Sequence, residues 1–175
     1  ERLKSQSLTN VEVKTFHAFG RKYFLSSCQD DKGLDAIVSQ NLNPTRFFEF
    51  QMIIIDEAQD LNPPYYNFVY RIFFNNKLMA QLCILGDPAQ CLYDYQGSDV
   101  QYLKNPEKFF SWNGLSWDRA NLNQSFRVPD KIAEFVNLSL LQENRIQSIK
   151  KTAFKPRYRI SSNSGSSVFN STAYQ

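Results

Sequence analysis

The sequence is poor in the residue types that build metal sites and disulfides. Its 175 residues include one histidine, His17, and three cysteines at unrelated spacings, with no Cys-x-x-Cys pair. A structural zinc site needs four closely spaced nitrogen or sulfur ligands, so we do not expect one. The odd number of cysteines favours a reduced, intracellular protein. No apolar run approaches the ~20 residues of a membrane-spanning helix, so we expect no membrane partner.

A phosphate-binding loop is also missing. None of the six glycines lies in a Gly-x-x-x-x-Gly-Lys-Ser/Thr pattern. Charge is unevenly spread: the net charge is +3, whereas residues 144–175 contain six basic and no acidic residues. A basic end can contact nucleic acid, but we favour a solvated end, and we expect residues 161–175 to form a flexible polar tail.

Short apolar runs alternate with segments of helical periodicity. The run Met52-Ile-Ile-Ile55 is typical of a parallel strand buried on both faces. Such alternation predicts an α/β fold with a parallel sheet flanked by helices. The expected strands are 11–13, 52–55 and 82–85, with a further candidate at 119–122. The expected helices are 16–25, a weak one near 34–40, 63–74, a helix and turn within 99–110, and 131–141 with Asp130 as its N-cap.

Polar residues follow each expected strand. In open parallel sheets, ligands bind at the carboxyl ends of the strands. This rule directs attention to Thr15–His17, Asp56–Asp60, Asp87–Gln90 and Gln124–Arg127.

The segment Ile53-Ile-Ile-Asp-Glu-Ala-Gln-Asp60 has the sharpest chemistry. Two adjacent carboxylates, Asp56 and Glu57, follow an apolar strand. One can hold Mg²⁺ and the other can accept a proton from an attacking water, as in nucleotide hydrolases. The plain alternative is a buried strand followed by an acidic loop.

The segment Leu85 to Ser98 follows one helix and one strand later. Gly86 allows a tight turn, and Gln90 can bond a phosphate oxygen or position a water. Tyr93 and Tyr95 offer rings on which bases can stack. Taken alone, these two tyrosines are better explained by core packing.

Two weaker segments flank these. Arg127, in Leu122-Asn-Gln-Ser-Phe-Arg127, can stabilise charge on a transferring phosphoryl group, although a lone arginine is usually a surface charge. Thr15 and His17 offer hydrogen-bonding groups at a helix start, where phosphates are favoured, although a lone histidine is more often structural.

The four segments occur in an order that resembles superfamily 1 helicases of the UvrD/Rep type. Thr15-Phe-His-Ala-Phe19 is similar to motif Ib, and Asp56-Glu-Ala-Gln-Asp60 is similar to motif II. Gly86 to Ser98 is similar to motif III, and Leu122 to Arg127 to motif IV. The resemblance covers roughly residues 11–137.

The resemblance implies an ATP-dependent DNA helicase with a RecA-like motor fold and the cofactors ATP and Mg²⁺. Asp56 would coordinate Mg²⁺, Glu57 would be the general base, and Gln90 and Arg127 would sense the γ-phosphate. The expected partner is single-stranded DNA, or a duplex with a single-stranded tail. The residues implied to lie toward that strand are Thr15, Phe16, His17, Tyr93 and Tyr95.

The same resemblance divides the chain. Residues 1–127 would be part of the first RecA-like ATPase domain without its phosphate loop, and residues 128–160 would begin a second motor domain. We therefore expect the chain by itself to be inactive as an ATP hydrolase. The compartment would be the cytoplasm for a bacterial or phage protein and the nucleus for a eukaryotic one.

Two alternatives stay open. The chain can be the motor part of a helicase–nuclease or of an RNA-directed superfamily 1 helicase. Cys91-Leu-Tyr93 after Gln90, in place of the Leu-Pro-Pro of the RNA-directed branch, favours DNA. The chain can also be a non-hydrolysing adaptor of the same fold, although the presence of Asp56, Glu57, Gln90 and Arg127 argues against it.

Overall fold

The computed structural model describes residues 10–76, 79–91, 97–112, 114, 116–154 and 156–157. The chain divides into two compact units, Glu1–Trp117 and Asp118–Gln175. The domain boundary expected after Arg127 was drawn from motifs and falls inside the second unit. As a boundary between motor domains it stays a prediction.

Helices and strands alternate in the first unit, as expected. The segments expected near 34–40 and within 99–110 are confirmed as helical, the latter as two short helices. The elements in chain order are α1 (Phe16–Tyr23), α2 (Asp31–Ser39), β1 (Met52–Ile55), a 3-10 turn (Ala58–Asp60), α3 (Pro63–Asn75), β2 (Gln81–Ile84), a second 3-10 turn (Pro88–Gln90), α4 (Gln101–Lys104) and α5 (Pro106–Phe109).

The centre of this unit is a β1–α3–β2 crossover. The two strands pair in parallel, with Met52 opposite Gln81 and Ile55 opposite Ile84. Asn62 caps the intervening helix, because its side chain accepts a hydrogen bond from the backbone of Tyr65. The chain is therefore mixed α/β with a small parallel sheet, in agreement with the sequence prediction at that level.

Two strand predictions are corrected. The prediction that β1 is buried on both faces is wrong in this chain, since Ile55 is 4% exposed whereas Ile54 is 57% exposed. Side chains alternate across a strand, and only one face of β1 is covered by the described residues. Residues 11–13 are not a strand: Val11 and Val13 are exposed and pair with no other described strand.

Aromatic rings fill the core beneath the helices. The helix α2 packs on both α1 and α3. Cys28 is fully buried between α1 and α2, and a Cβ at Gly33 would lie 2.7 Å from its Cα. Only glycine permits this approach, so Gly33 allows the first turn of α2 to pack directly against the backbone of Cys28. The buried members of this cluster are Tyr23, Phe24, Cys28, Leu34, Ile37, Phe48, Phe68 and Ile72.

A second cluster lies under the carboxyl end of β1. It joins the strand to α3 and to the short helices α4 and α5 through rings that stack, such as Tyr66 on Tyr102 at 4.9 Å between centroids. Its buried members are Ile55, Ala58, Leu61, Val69, Tyr102 and Phe110.

The described part of the second unit contains two two-residue strands, β3 (Gln124–Ser125) and β4 (Gln147–Ser148), which pair in parallel. Between them lie α6 (Asp130–Val136) and a π-helical turn (Asn137–Leu141). The third strand expected at 119–122 is wrong, because pairing begins only at Gln124.

The expected N-cap of this helix is also corrected. Pro129 takes the cap position, and Asp130 is the first helical residue. The Asp130 carboxylate accepts hydrogen bonds from the backbone of Lys131 and of Thr152, and these bonds contribute to lowering its pKa against the opposing effect of desolvation. Asp130 therefore ties the helix start to a distant segment.

The described helices include none that is long and apolar enough to cross a membrane.

Asn76 generates a stability prediction. Its buried amide accepts from the backbone N–H of Phe50 at 2.7 Å and donates to the carbonyl of Phe50 at 2.9 Å. Asn76→Ala leaves both backbone groups without these partners, and we expect it to lower the free energy of unfolding by about 1–3 kcal/mol, measured by urea denaturation.

The neighbouring Asn75 is the matched control, since its amide donates to Arg71 within its own helix. Asn75→Ala should cost about 1 kcal/mol or less. Equal losses for the two variants would contradict the assigned role of Asn76.

Candidate functional site

The two central motifs meet at one edge of the sheet. Asp56–Asp60 follow β1 and Asp87–Gln90 follow β2, and these strands are direct neighbours. The backbone N–H of Ala58 donates to the carbonyl of Leu85 at 2.9 Å, which extends the strand pairing into the two turns. Of the four strand-end segments that the sequence singles out, these two lie side by side in the first unit.

The adjacent carboxylates lie at a strained turn. Glu57 has φ 53° and ψ 42°, a left-handed conformation that is unfavourable for a residue with a Cβ. Both Asp56 and Glu57 are exposed, and the carboxylate of Asp56 accepts a 3.1 Å hydrogen bond from the Glu57 backbone. The strand thus ends at Ile55, and the 3-10 turn begins directly after Glu57.

Gln59 is the residue that sequence reasoning missed. It is 2% exposed, and its Nε2 donates to the Glu57 carboxylate at 2.7 Å. Its Oε1 accepts from the backbone N–H of Asp87 at 3.1 Å, and its carbonyl accepts from the Cys91 thiol. The only signal in the sequence is a polar residue two positions after the Asp-Glu pair.

Gly86 is required by this bridge. A Cβ at Gly86 would lie 2.5 Å from Oε1 of Gln59 and 3.1 Å from the backbone nitrogen of Ala58. Its φ is not in the left-handed region. The sequence-based reason for this glycine, a tight turn, is therefore replaced by the close passage of the Gln59 side chain.

Gln90 is held at the start of its loop. Its Nε2 donates to the Asp87 carboxylate at 2.8 Å, and the other oxygen of Asp87 accepts from the backbone of Ala89. Gln90 is exposed beyond this contact. Tyr93 and Tyr95, which the resemblance implies to lie near single-stranded DNA, are outside the described residues.

Asp60 adds a second acidic group beside Glu57. Its Oδ1 is removed from solvent and has no hydrogen-bond partner in the described part of the chain. Burial, together with the nearby charge of Glu57, raises the pKa of the Asp60 carboxyl. Acidic groups in two environments therefore lie at this end of the sheet: Asp56 and Glu57 are exposed, and Asp60 is partly buried.

The donor set fits a partly hydrated Mg²⁺. Magnesium prefers oxygen ligands, keeps several waters and is usually held by one or two carboxylates together with phosphate oxygens. Asp56 offers an exposed carboxylate at the strand end. The described residues contain no cluster of three His, Cys, Asp or Glu side chains able to share a metal, so a closed protein cage does not fit.

The third motif lies at the start of α1. Thr15 is its N-cap, and its hydroxyl accepts from the backbone of Ala18 at 3.2 Å. Phe16 is half-buried and stacks on Tyr65 with ring centroids 4.9 Å apart. His17 has 32% of its side chain exposed, and Thr15 is exposed. Thr15 and His17 are thus both open to an external contact.

His17 belongs to a small polar cluster. Its Nε2 lies 2.9 Å from the Asp31 carboxylate, and the Tyr65 hydroxyl donates to the same oxygen at 2.9 Å. Burial and then this hydrogen bond raise the pKa of Tyr65 to about 12. The cluster joins α1, α2 and α3.

Arg127 lies in the second unit. It follows β3 and is exposed. Its turn is fixed by Ser125, whose hydroxyl accepts from the backbone of Val128 at 3.0 Å.

Part of the chain is similar to a known family of helicases. Residues 38–111 match the family described as the UvrD/REP helicase N-terminal domain. The resemblance to UvrD-like superfamily 1 helicases is confirmed.

Particular relatives support this. The chain is 32% identical over 103 residues to F-box DNA helicase protein 1 of Schizosaccharomyces pombe, covering 58% of this chain and 10% of that protein. It is 32% identical over 96 residues to the ATP-dependent DNA helicase PcrA of Staphylococcus aureus, covering 51% and 11%. It is 22% identical over 171 residues to the RecBCD enzyme subunit RecB of Chlamydia muridarum, covering 87% and 17%. The chain therefore spans only a small part of the length of these relatives.

The polar cluster predicts a pH effect. The pKa of Tyr65 is raised above the value of about 10 expected in the unfolded chain. As the pH rises from about 10 to 12, the unfolded state ionises first, so the stabilisation present below pH 10 is lost. Asp31→Asn should move the pKa of Tyr65 back toward 10, measured by NMR titration of the tyrosine ring.

Asp35→Asn is the control, because Asp35 is exposed on the same helix. A Tyr65 titration unchanged by Asp31→Asn would refute the role of the Asp31 hydrogen bond.

Proposed function

We propose that this chain is part of an ATP-dependent DNA helicase of the UvrD/Rep type, which couples ATP hydrolysis to movement along single-stranded DNA and to duplex unwinding. The observation that supports the proposal most is the hydrogen-bonded frame that brings Glu57 and Gln90 to one edge of the sheet. The similarity to proteins named DNA helicases supports the class of reaction.

The proposed roles are those that the resemblance to UvrD/Rep helicases implies. Asp56 holds Mg²⁺, directly or through water, and Mg²⁺ when bound neutralises charge on the phosphates. Glu57 accepts a proton from the attacking water. Gln90 donates to the γ-phosphate from the neighbouring turn. For Arg127, the proposed role is to stabilise the charge that develops on the transferred group.

The proposed contacts with single-stranded DNA begin at α1. His17 provides the accessible ring, whereas Thr15 and Phe16 hold the start of the helix and its packing. Two exposed basic residues, Lys14 and Arg21, add a positive potential that favours a phosphate backbone. Tyr93 and Tyr95 complete the proposal as stacking rings. The ligand is single-stranded DNA or a duplex with a single-stranded tail.

A motor within a helicase–nuclease is the second candidate. It is favoured by the similarity to RecB, which extends over 87% of this chain. The same hydrolytic residues act in both candidates, so the roles of Asp56 and Glu57 do not depend on the choice.

The decisive variant is Glu57→Gln in the intact enzyme. The amide keeps the shape and the hydrogen-bonding distance but cannot accept a proton. We expect ATP turnover to fall about 10²–10⁴-fold while ATP affinity is retained, measured by phosphate release and by equilibrium binding of a fluorescent ATP analogue.

Glu49→Gln is the matched control, because Glu49 is an exposed glutamate before β1 and outside the site. Turnover near the wild-type rate in Glu57→Gln would exclude Glu57 as the base. Loss of turnover in both variants would show an effect unrelated to the site.

A further inference from the structure

We propose that Gln59 is a positioning residue that holds the Glu57 carboxylate in a fixed relation to the Asp87–Gln90 turn. The inference rests on the proposed function of Glu57 as general base. It adds a residue that acts through Glu57 and is not itself in contact with the reacting groups.

The first step is the burial of the Gln59 amide. A buried polar group is costly unless its hydrogen bonds are made, and Gln59 is 2% exposed. Its two described side-chain contacts both go to strand-end turns: to the Glu57 carboxylate at 2.7 Å and to the backbone N–H of Asp87 at 3.1 Å. The side chain therefore spans the gap between the two motifs.

The second step is the freedom that Glu57 would otherwise have. Glu57 is exposed and has a left-handed backbone, so little else among the described residues limits its side-chain rotamers. A hydrogen bond to a carboxylate is charge-assisted and stronger than a neutral one. Because its donor is buried and fixed, Gln59 restricts where the carboxylate can lie.

The third step is continuity with Gln90. Asp87, whose backbone bonds Gln59, accepts from Gln90 Nε2 at 2.8 Å through its side chain. A hydrogen-bonded series thus runs from Glu57 through Gln59 and Asp87 to Gln90. The base and the proposed phosphate contact are held in register by one buried amide.

The packing of Gly86 supports this arrangement. A methyl group at this position would meet Oε1 of Gln59 at 2.5 Å. The backbone after β2 therefore passes so close to the Gln59 amide that only glycine fits at position 86.

The test is Gln59→Met in the intact enzyme. Methionine keeps the length and fills the buried space but makes neither hydrogen bond. We expect kcat to fall about 10–100-fold, as for a displaced catalytic group, with the KM for ATP changed little. Asn76→Ala is the control, since it removes another buried amide that bridges two segments away from the site. It should lower the melting temperature and leave kcat per folded molecule unchanged.

A double-mutant cycle separates positioning from a general structural effect. If Gln59 acts through Glu57, adding Gln59→Met to Glu57→Gln should produce no further loss of turnover. Multiplicative losses, or a normal kcat in Gln59→Met alone, would overturn the proposal. If Glu57→Gln alone keeps turnover, it is instead the proposed role of Glu57 that fails.

A second readout does not depend on activity. Hydrogen exchange of the Asp87 amide in this chain should speed up at least tenfold in Gln59→Met and stay unchanged in Asn76→Ala. Unchanged exchange in Gln59→Met would contradict the bridge even if the variant proved inactive. Should Gln59→Met fail to fold, Gln59→Glu keeps the acceptor for Asp87 but sets a carboxylate against Glu57. Normal kcat in folded Gln59→Glu would then overturn the proposal.

Discussion

The parallel pairing of β1 with β2 is the constraint on which the candidate site depends. Parallel neighbours end at the same edge, so the turn after Ile55 and the turn after Ile84 are brought side by side although a whole helix separates them in sequence. The pairing continues past the strands as the bond from Ala58 to Leu85. The polar contacts between the two motifs depend on this parallel pairing of β1 with β2.

The aromatic core holds the strands in that position. Rings from α1 and α3 interlock beneath the sheet, and Phe16 stacks on Tyr65 at the same point where His17 bonds Asp31. Packing and the polar surface are thus built from adjacent residues of one helix. A change in the packing of Phe16 on Tyr65 would therefore alter the surface proposed to bind single-stranded DNA. The turns that contain Glu57 and Gln90 are held by their own hydrogen bonds.

The strand and helix positions could be predicted from local sequence patterns, whereas contacts between residues far apart in the sequence could not. The apolar run that ends at Ile55, before Asp56, predicts a strand and a polar edge, and the pair Pro63-Pro64 predicts a helix start. The bridge from Gln59 to Asp87 joins residues 28 positions apart, so no local pattern indicates it. Val11 and Val13 alternate like a strand, but alternation cannot show that a partner strand is absent from the described residues.

The most direct test of this account is the side-chain amide of Gln59 in the wild-type chain. We predict that NMR shows its two Nε2 protons protected from solvent exchange, with through-space contacts to the Asp87 amide proton. Asn75, whose amide donates within its own helix, provides the reference for a less buried group. A Gln59 amide that exchanges as fast as that of Asn75, without a contact to Asp87, would contradict the claim that one buried residue joins the two motifs.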